Sequence, residues 1–254
     1  PVYFKLDVEG EKDGNVVHGL VGGQTGSGKS VLLHTIIMSL AHVYSPEDLQ
    51  FYLFDFKDGV EFNRYSNGQG TIWLPHVKMV SVHNDPEYAL EFFTHLVDVE
   101  FVSRNEKFKE LGCKDISEYV KKDGKMPRLV VIVDEFQMLF VGSGIEDIGK
   151  QITEKLADIC KKGRSVGIHL IIATQSMSDA YKTMGGSAAG ILQQIGLRLA
   201  LSGNGEEGIL EDNNKEASEI IAKKQCIINT KVGKKGHNVV FDFPFSSPNS
   251  SDGE

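Results

Sequence analysis

The sequence has 254 residues, and its 27 basic and 35 acidic side chains give a formal net charge of −8. A hydrophobic content of 41% and a charged content of 24% are typical of globular proteins and exclude a fibrous or wholly disordered chain. No apolar run approaches the roughly 20 residues that cross a bilayer, and the acidic balance argues against a broad basic surface for nucleic acid while leaving room for a local one.

Apolar strand-like runs alternate along the chain with amphipathic helical patterns. In chain order they predict a strand at 16–21, a helix at 29–43, strands at 51–56 and 77–82, a helix from Asp85 to Gly112, a strand at 129–133, a helix from Ile148 to a stop at Lys161-Lys162-Gly163, strands at 168–173 and 197–201, and a final strand pair at 225–229 and 239–243. Buried strands that alternate with helices indicate an α/β fold, with a mostly parallel sheet covered by helices on both faces. We predict one domain over residues 1–245 and a polar, disordered tail at 246–254.

The three cysteines, Cys113, Cys160 and Cys226, are far apart and form no CxxC pair. Scattered thiols of this kind are typical of reduced cysteines in a cytosolic protein. We therefore predict a cytoplasmic location, and we expect any membrane tether to come from segments outside these 254 residues.

The segment Gly23-Gln-Thr-Gly-Ser-Gly-Lys-Ser30 matches the phosphate-loop pattern G-x-x-x-x-G-K-[ST], between a predicted strand and a predicted helix. Its glycines allow backbone N–H groups to surround phosphates, and Lys29 supplies a positive charge to the β- and γ-phosphates. The Ser30 hydroxyl would complete a Mg²⁺ shell. The alternative is a glycine-rich turn with a chance lysine. The residues predicted to bind ATP are Gly23, Gln24, Thr25, Gly26, Ser27, Gly28, Lys29, Ser30 and Val31.

Two carboxylates follow the most apolar predicted strand, at Asp134 and Glu135. The carboxyl ends of parallel strands form the edge where ligands bind in open α/β sheets. We predict that Asp134 holds Mg²⁺ and that Glu135 deprotonates the attacking water. The paired carboxylates also favour ATPases in which a strand separates them from the phosphate loop, and the predicted strands at 51–55 and 77–82 leave room for it.

Gln175 ends another predicted strand through the run Ile171-Ile-Ala-Thr-Gln175. At the same edge of the sheet, its amide would respond to the presence of a γ-phosphate, which makes it a candidate catalytic residue. The alternative is an ordinary glutamine at a strand end.

Several of these motifs together resemble the FtsK/SpoIIIE motor domains. The resemblance rests on the phosphate loop, Asp55-Phe-Lys57, Leu74-Pro-His76, Asp134-Glu135-Phe136, and a Gly-Arg-Ser-Val-Gly-Ile-His-Leu run that leads into Ala173-Thr-Gln175. It implies a RecA-like P-loop NTPase fold that uses ATP and Mg²⁺. It also implies a ring, typically a hexamer, that moves double-stranded DNA.

Two departures from the family pattern bear on the cargo. Gln24 stands where the family commonly has Thr, and Asp55-Phe-Lys57 is closer to the type VII secretion ATPases of the same superfamily, which move proteins. A secreted protein substrate is therefore the alternative to DNA.

The resemblance further implies an arginine that completes the site of a neighbouring subunit. Arg164, in the family-like Gly-Arg motif, and Arg198 are the first candidates, and Arg104 follows them; each has the alternative of a surface or helix-capping cation. Mobile pore loops that touch the cargo are predicted at 177–188, with Lys182, and at 58–70, with Arg64.

These patterns leave three functions open. The first is a Mg²⁺-dependent ATPase that serves as the motor of a DNA translocase. The second is the ATPase domain of a type VII-like protein secretion system, and the third is a nucleotide-binding assembly module with weak hydrolysis.

Overall fold

The computed structural model describes residues 17–56, 61–66, 70–81, 85–122, 124–141, 146–184, 186–203 and 208–243. The predicted tail at 246–254 and parts of the predicted pore loop at 58–70 lie outside these ranges. Among the described residues, no helix combines the length and the apolar composition that a membrane span requires.

Eight strands form one sheet, and each corresponds to a predicted strand. They are β1 Gly19–Gly22, β2 Leu49–Asp55, β3 Val77–Ser81, β4 Arg128–Asp134, β5 Ile168–Thr174, β6 Leu197–Leu201, β7 Gln225–Asn229 and β8 Asn238–Asp242. The strand order is β3-β2-β4-β5-β1-β6-β7-β8. The strands from β3 to β6 run parallel, and β7 and β8 extend the sheet antiparallel. The predicted mostly parallel sheet is confirmed.

A strand does separate the phosphate-loop strand β1 from the carboxylate strand β4, but it is not one of those expected. β5 pairs with β1 on one side and with β4 on the other. β2 and β3, which were predicted to leave room for the inserted strand, lie beyond β4. The strand that ends at Thr174 is therefore the one placed between the phosphate loop and the carboxylates.

The helices are α1 Lys29–Val43, α2 Pro86–His95, α3 Phe101–Glu110, α4 Ile116–Lys121, α5 Glu146–Val166, α6 Met177–Met184 and α7 Gly186–Gln194. Alternate residues of β4 face the two sides of the sheet: Val131 and Val133 join one core cluster, and Val130 and Ile132 join the other. The apolar residues of α1 pack on the second side, whereas those of α2, α3 and α5 pack on the first. Both faces of the sheet are therefore covered by helices, as predicted.

The helix predicted from Asp85 to Gly112 is present, with one irregularity. Asp85 caps it by accepting hydrogen bonds from the backbone of Glu87 and Tyr88, and Gly112 ends it with a φ of +61°. Between α2 and α3 the backbone forms one π turn, Leu96–Glu100, which the helical pattern did not reveal.

Two predicted boundaries are wrong. α5 continues through Gly163 to Val166, because Gly163 is required by packing and does not end the helix. A Cβ atom there would lie 2.4 Å from the Ile168 carbonyl oxygen and 3.1 Å from the His18 ring. The predicted pore loop at 177–188 is helical, since α6 and α7 occupy its described residues.

The buried His18 imidazole makes the fold sensitive to acid. Its Nδ1 accepts a hydrogen bond from the Leu170 backbone at 3.0 Å, and burial lowers its pKa to about 4, against opposing hydrogen bonds from the backbone of Cys160 and Ile159. Because the unfolded chain binds this proton at higher pH, stability from this group is complete above about pH 6.5. It is lost as the pH falls towards 4.

We expect the free energy of unfolding to fall by about 2–3 kcal/mol more in the wild type than in His18→Asn between pH 7 and about pH 4.5. The Asn oxygen can replace Nδ1 as the acceptor but does not titrate. Urea unfolding of both proteins at the two pH values measures the difference. Equal losses would show that His18 is not the acid-sensitive group.

Candidate nucleotide site

Residues 23–30 form a loop that joins β1 to α1 at the carboxyl edge of the sheet. Gly26 and Gly28 have φ angles of +80° and +104°, a region that favours glycine. A Cβ atom on Gly23 would lie 2.5 Å from Ser27 Oγ, so only glycine fits there without a shift. The loop therefore brings its backbone N–H groups and the amino end of α1 to one place, which suits a phosphate group.

The outer side of this loop contacts residues that flank the antiparallel strands. The backbone N–H of Lys223, just before β7, donates to the Ser27 carbonyl oxygen at 3.0 Å. Phe243, which follows β8, lies so close that a Cβ atom on Gly28 would be 3.1 Å from its ring. The loop is thus supported from the far half of the sheet as well as by α1.

Lys29 connects the loop to both predicted carboxylates. Its Nζ donates to Asp134 Oδ1, and it donates to Glu135 Oε1 at 2.7 Å. All three side chains are buried. Lys29 makes these contacts past the end of β5, the strand that separates β1 from β4.

The two carboxyl groups respond differently to this environment. Burial raises the pKa of Asp134, although the Lys29 charge and hydrogen bond oppose the rise. Burial also acts to raise the pKa of Glu135, but the Lys29 charge, together with hydrogen bonds from Lys29, Gln137 and Gln175, lowers it below its usual range. Lys29 therefore holds Glu135 in its ionised form.

Glu135 has a strained backbone and an oriented side chain. Its φ of 51° and ψ of 49° lie in the left-handed region, which costs a non-glycine residue about 1–3 kcal/mol and is characteristic of functional positions. Its Oε2 accepts hydrogen bonds from Gln137 Nε2 at 2.7 Å and from the Gln175 backbone at 3.3 Å. The carboxylate that is predicted to activate water is thus fixed in direction.

Gln175 lies at this edge of the sheet, as predicted. Its Oε1 accepts a hydrogen bond from the Thr25 hydroxyl at 2.5 Å, while its backbone contacts Glu135. One residue therefore links the phosphate loop to the carboxylate, a position from which it could respond to a phosphate in the loop. Its catalytic role stays a prediction.

The predicted arginines do not join this group. Arg104 is 2% exposed and donates to Glu100 Oε1 and the Val166 carbonyl oxygen, at 2.7 and 2.8 Å. Arg198 is 3% exposed and donates to the Leu192 carbonyl oxygen. Neither can reach a neighbouring subunit, so both candidates are wrong. Arg164 is exposed near the end of α5, on the edge of the sheet opposite the phosphate loop of its own chain.

The structure adds residues that the sequence analysis did not assign to the site. Asp55 ends β2 opposite Asp134 and is 1% exposed, and its Oδ2 accepts from the Glu61 backbone at 2.9 Å. Like Asp134, it is a carboxylate at the end of an apolar strand, so this pattern could have indicated it. Gln137 and Glu61 carried no such signal.

The donor set fits ATP with Mg²⁺. Oxygen ligands of the type that Mg²⁺ prefers, the Ser30 hydroxyl and the Asp134 carboxylate, belong to elements that meet at this edge of the sheet. Within the described part of the chain, the buried Ser27 Oγ in the loop has no hydrogen-bond partner, which leaves a polar group for an oxyanion. Ser30 and Asp134 would hold the ion, and the loop would hold the phosphates.

Comparison with known proteins agrees with this geometry. The sequence model of the FtsK/SpoIIIE family matches residues 3–128. The chain is 33% identical over 189 residues to the DNA translocase FtsK of Treponema pallidum (strain Nichols), which covers 70% of this chain and 22% of that protein. The chain carries a domain of the FtsK/SpoIIIE family. It is also 31% identical over 202 residues to the ESX-5 secretion system protein EccC5 of Mycobacterium marinum, covering 75% of this chain and 13% of that protein.

Two solved structures show the same fold. The pCW3 conjugation coupling protein TcpA, in a monomer form with ATPγS, has a TM-score of 0.67 and 27% identity over 89% of this chain and 60% of that chain. The cytoplasmic domain of the type VII secretion ATPase EccC of Thermomonospora curvata has a TM-score of 0.66 and 25% identity, covering 91% of this chain and 26% of that one. The chain spans about a fifth or less of the curated relatives cited above. It is therefore an FtsK/SpoIIIE-type ATPase domain related both to DNA translocases and to EccC secretion ATPases.

Replacing Lys29 would leave two buried carboxylates without their positive partner. For Lys29→Met we expect the free energy of unfolding at pH 8 to fall by about 3 kcal/mol, the usual cost of breaking a buried ion pair. Without Lys29 the folded-state pKa values of Asp134 and Glu135 rise above their unfolded values, so the loss should shrink as the pH falls to 5 and both groups are protonated. Urea unfolding at pH 8 and pH 5 measures this.

The triple variant Lys29→Met/Asp134→Asn/Glu135→Gln is the control, because it removes the carboxylates together with the lysine. Its stability should not show the extra pH dependence. A Lys29→Met protein that is as stable as the wild type at pH 8 would contradict the ion-pair interpretation.

Proposed function

We propose that this chain is a Mg²⁺-dependent ATPase that serves as the motor module of a ring, hexameric in the simplest case, which moves double-stranded DNA. The observation that carries the ATPase part is the contact of the phosphate-loop residue Lys29 with Asp134 and Glu135. A general base, a metal ligand and a phosphate-binding cation thereby converge at one edge of the sheet. The ATPγS that accompanies the related TcpA protein in its structure supports ATP as the nucleotide.

Each residue has a defined part in this reaction. Backbone N–H groups of the loop and the amino end of α1 bind the phosphates, while Ser30 and Asp134 hold Mg²⁺. When bound, Mg²⁺ neutralises charge on the β- and γ-phosphate oxygens. Glu135, already fixed by Gln137 and the Gln175 backbone, accepts the proton of the attacking water.

Lys29 couples binding to activation of the base. Without nucleotide, its ammonium group lowers the pKa of Glu135 and makes this carboxylate a weak base. When Lys29 pairs with the β- and γ-phosphates, Glu135 loses that partner and its pKa rises, so it becomes better able to take a proton. Gln175 senses occupation of the loop through its hydrogen bond to Thr25.

The ring and its cargo rest on the relatives. The match to a DNA translocase supports duplex DNA, which would be held by a few basic residues in the pore, since the net charge of −8 allows no broad basic surface. Arg164, exposed near the end of α5, is the remaining candidate for completing the site of a neighbouring subunit. For the whole protein we propose a cytoplasmic location of this domain.

A second candidate is the motor of a protein secretion system. Asp55-Phe-Lys57 resembles the secretion ATPases more than the DNA pumps, and EccC proteins appear among both the sequence relatives and the structural neighbours. The ATP chemistry is the same in both proposals, and only the cargo differs.

Glu135→Gln should separate binding from hydrolysis. We expect ATP binding to be retained and turnover to fall by about 10²–10⁴, the usual contribution of a general base. Steady-state phosphate release, together with binding of a fluorescent ATP analogue, measures both. Glu106→Gln, on an exposed position of α3, is the matched control and should behave as the wild type. Unchanged turnover in Glu135→Gln would favour a nucleotide-binding module without this chemistry.

The cargo can be tested by adding candidate substrates to the wild-type ATPase. Duplex DNA at low salt should raise turnover, and the effect should decrease steeply with ionic strength because binding releases counterions. Stimulation by a secretion-signal helix, with no response to DNA under conditions in which a ring forms, would instead favour the secretion motor.

A further inference from the structure

Glu61 lies on the segment between β2 and β3 and faces the first two turns of α1. Its carboxylate accepts a hydrogen bond from the Ser30 hydroxyl, the group that would hold Mg²⁺. His34, one turn further along α1, places its Nε2 3.5 Å from Glu61 Oε2. One carboxylate therefore contacts the helix at two successive turns, beside the phosphate loop.

This carboxylate is held in place from three directions. The Glu61 backbone N–H donates to Asp55 Oδ2 at 2.9 Å, which ties it to the carboxyl edge of the sheet. His34 is supported by a 2.9 Å hydrogen bond between its Nδ1 and the Tyr65 hydroxyl, and its ring packs against Phe62 and Tyr65. Side chains of this segment thus form a chain of contacts from Tyr65 through His34 to Glu61 and Ser30.

The direction of the Ser30 proton matters for binding a cation. A hydroxyl can offer its oxygen to a metal only if its hydrogen points elsewhere, and an acceptor for that hydrogen also makes the oxygen a better ligand. Asp134 Oδ1 is already engaged by Lys29 and by the Glu135 backbone N–H. The acceptor that the structure provides for Ser30 is Glu61.

We propose that Glu61 is a positioning residue for Mg²⁺: by accepting the Ser30 hydroxyl proton, it turns the oxygen of Ser30 towards the metal, and His34 and Tyr65 hold it in that role. The proposal rests on the proposed function. It adds a carboxylate that reaches the metal through Ser30, from a segment outside the phosphate loop and outside the strand that carries Asp134 and Glu135.

A cleft of about 540 Å³ adjoins this contact, and Ser30, His34, Glu61, Arg64 and Tyr65 are among its lining residues. The side chain of Glu61 is 36% exposed, so its second oxygen remains open to water. Water that is bound to a hydrated cation could therefore meet the same carboxylate, which is compatible with Mg²⁺ because this ion keeps several of its waters.

The test measures nucleotide affinity and not turnover. Binding of a fluorescent, non-hydrolysable ATP analogue is titrated with Mg²⁺, and in parallel with EDTA, for the wild type, Glu61→Gln, Ser30→Ala and the double variant. We expect Glu61→Gln to raise the Mg²⁺ concentration at half-maximal binding about 10-fold, as is usual for the loss of an outer partner of a metal ligand. Affinity in EDTA should not change.

The double variant separates a role through Ser30 from a general effect on the fold. If Glu61 acts through the hydroxyl, Glu61→Gln should cause no further loss in the Ser30→Ala background. Tyr65→Phe, which keeps the ring but removes the hydroxyl that supports His34, should shift the Mg²⁺ titration in the same direction by a smaller factor. Glu106→Gln is again the matched control and should leave the titration unchanged.

Several outcomes would overturn the proposal. They are an unchanged or lowered Mg²⁺ requirement in Glu61→Gln, an equal loss of affinity in EDTA, or losses that add in the double variant. If Glu61→Gln does not fold, an unchanged titration in Tyr65→Phe has the same meaning. A wild-type protein that gains no affinity from Mg²⁺ would overturn the proposed function as well, whereas a Mg²⁺-dependent wild type with an unaffected Glu61→Gln would overturn this inference alone.

Discussion

The buried contact of Lys29 with Asp134 and Glu135 is the interaction on which the rest of the site depends. Two carboxylates can remain ionised inside a protein only if a positive group compensates them, since an unpaired buried charge is costly. Lys29 belongs to the phosphate loop, whereas the carboxylates follow β4, and β5 lies between these strands. The sheet order and the length of the lysine side chain together therefore determine how far apart the two halves of the site can be.

The same contact explains why the site is assembled before nucleotide is present. The glycines shape the loop, hydrogen bonds from Gln137 and Gln175 aim Glu135, and Lys29 holds the carboxylates until a phosphate competes for it. A preformed arrangement avoids the cost of ordering side chains on binding. The ion pair is then exchanged for a similar interaction with phosphate.

Local patterns predicted most of the fold and the centre of the site. All eight strands, the helix cap at Asp85 and the phosphate loop depend on short-range chemistry, and they were found in the sequence. The position of β5 between β1 and β4 was not, because strand order is set by packing between distant segments. Gly163 was taken as the end of a helix because its close approach to Ile168 and His18 is a tertiary contact.

Long-range burial also decided which charged residues are available. Arg104 and Arg198 look like surface cations in the sequence, yet both are inside the protein, where they donate to backbone oxygens. The glycines at 185 and 186 suggested a loop, but the residues on either side form two helices. Glu61 carried no motif, because its relation to Ser30 exists only when the segment after β2 folds against α1.

The support of the phosphate loop by Lys223 and Phe243 gives the antiparallel end of the sheet a mechanical meaning. These residues adjoin β7 and β8, so a displacement of the loop by an incoming phosphate would press directly on the entry to one strand and the exit of the other. β8 is the outer strand of the sheet on this side, and its Val239 and Val240 are about half exposed. The surface that a neighbouring molecule would meet there is continuous, through two contacts, with the backbone that grips the nucleotide.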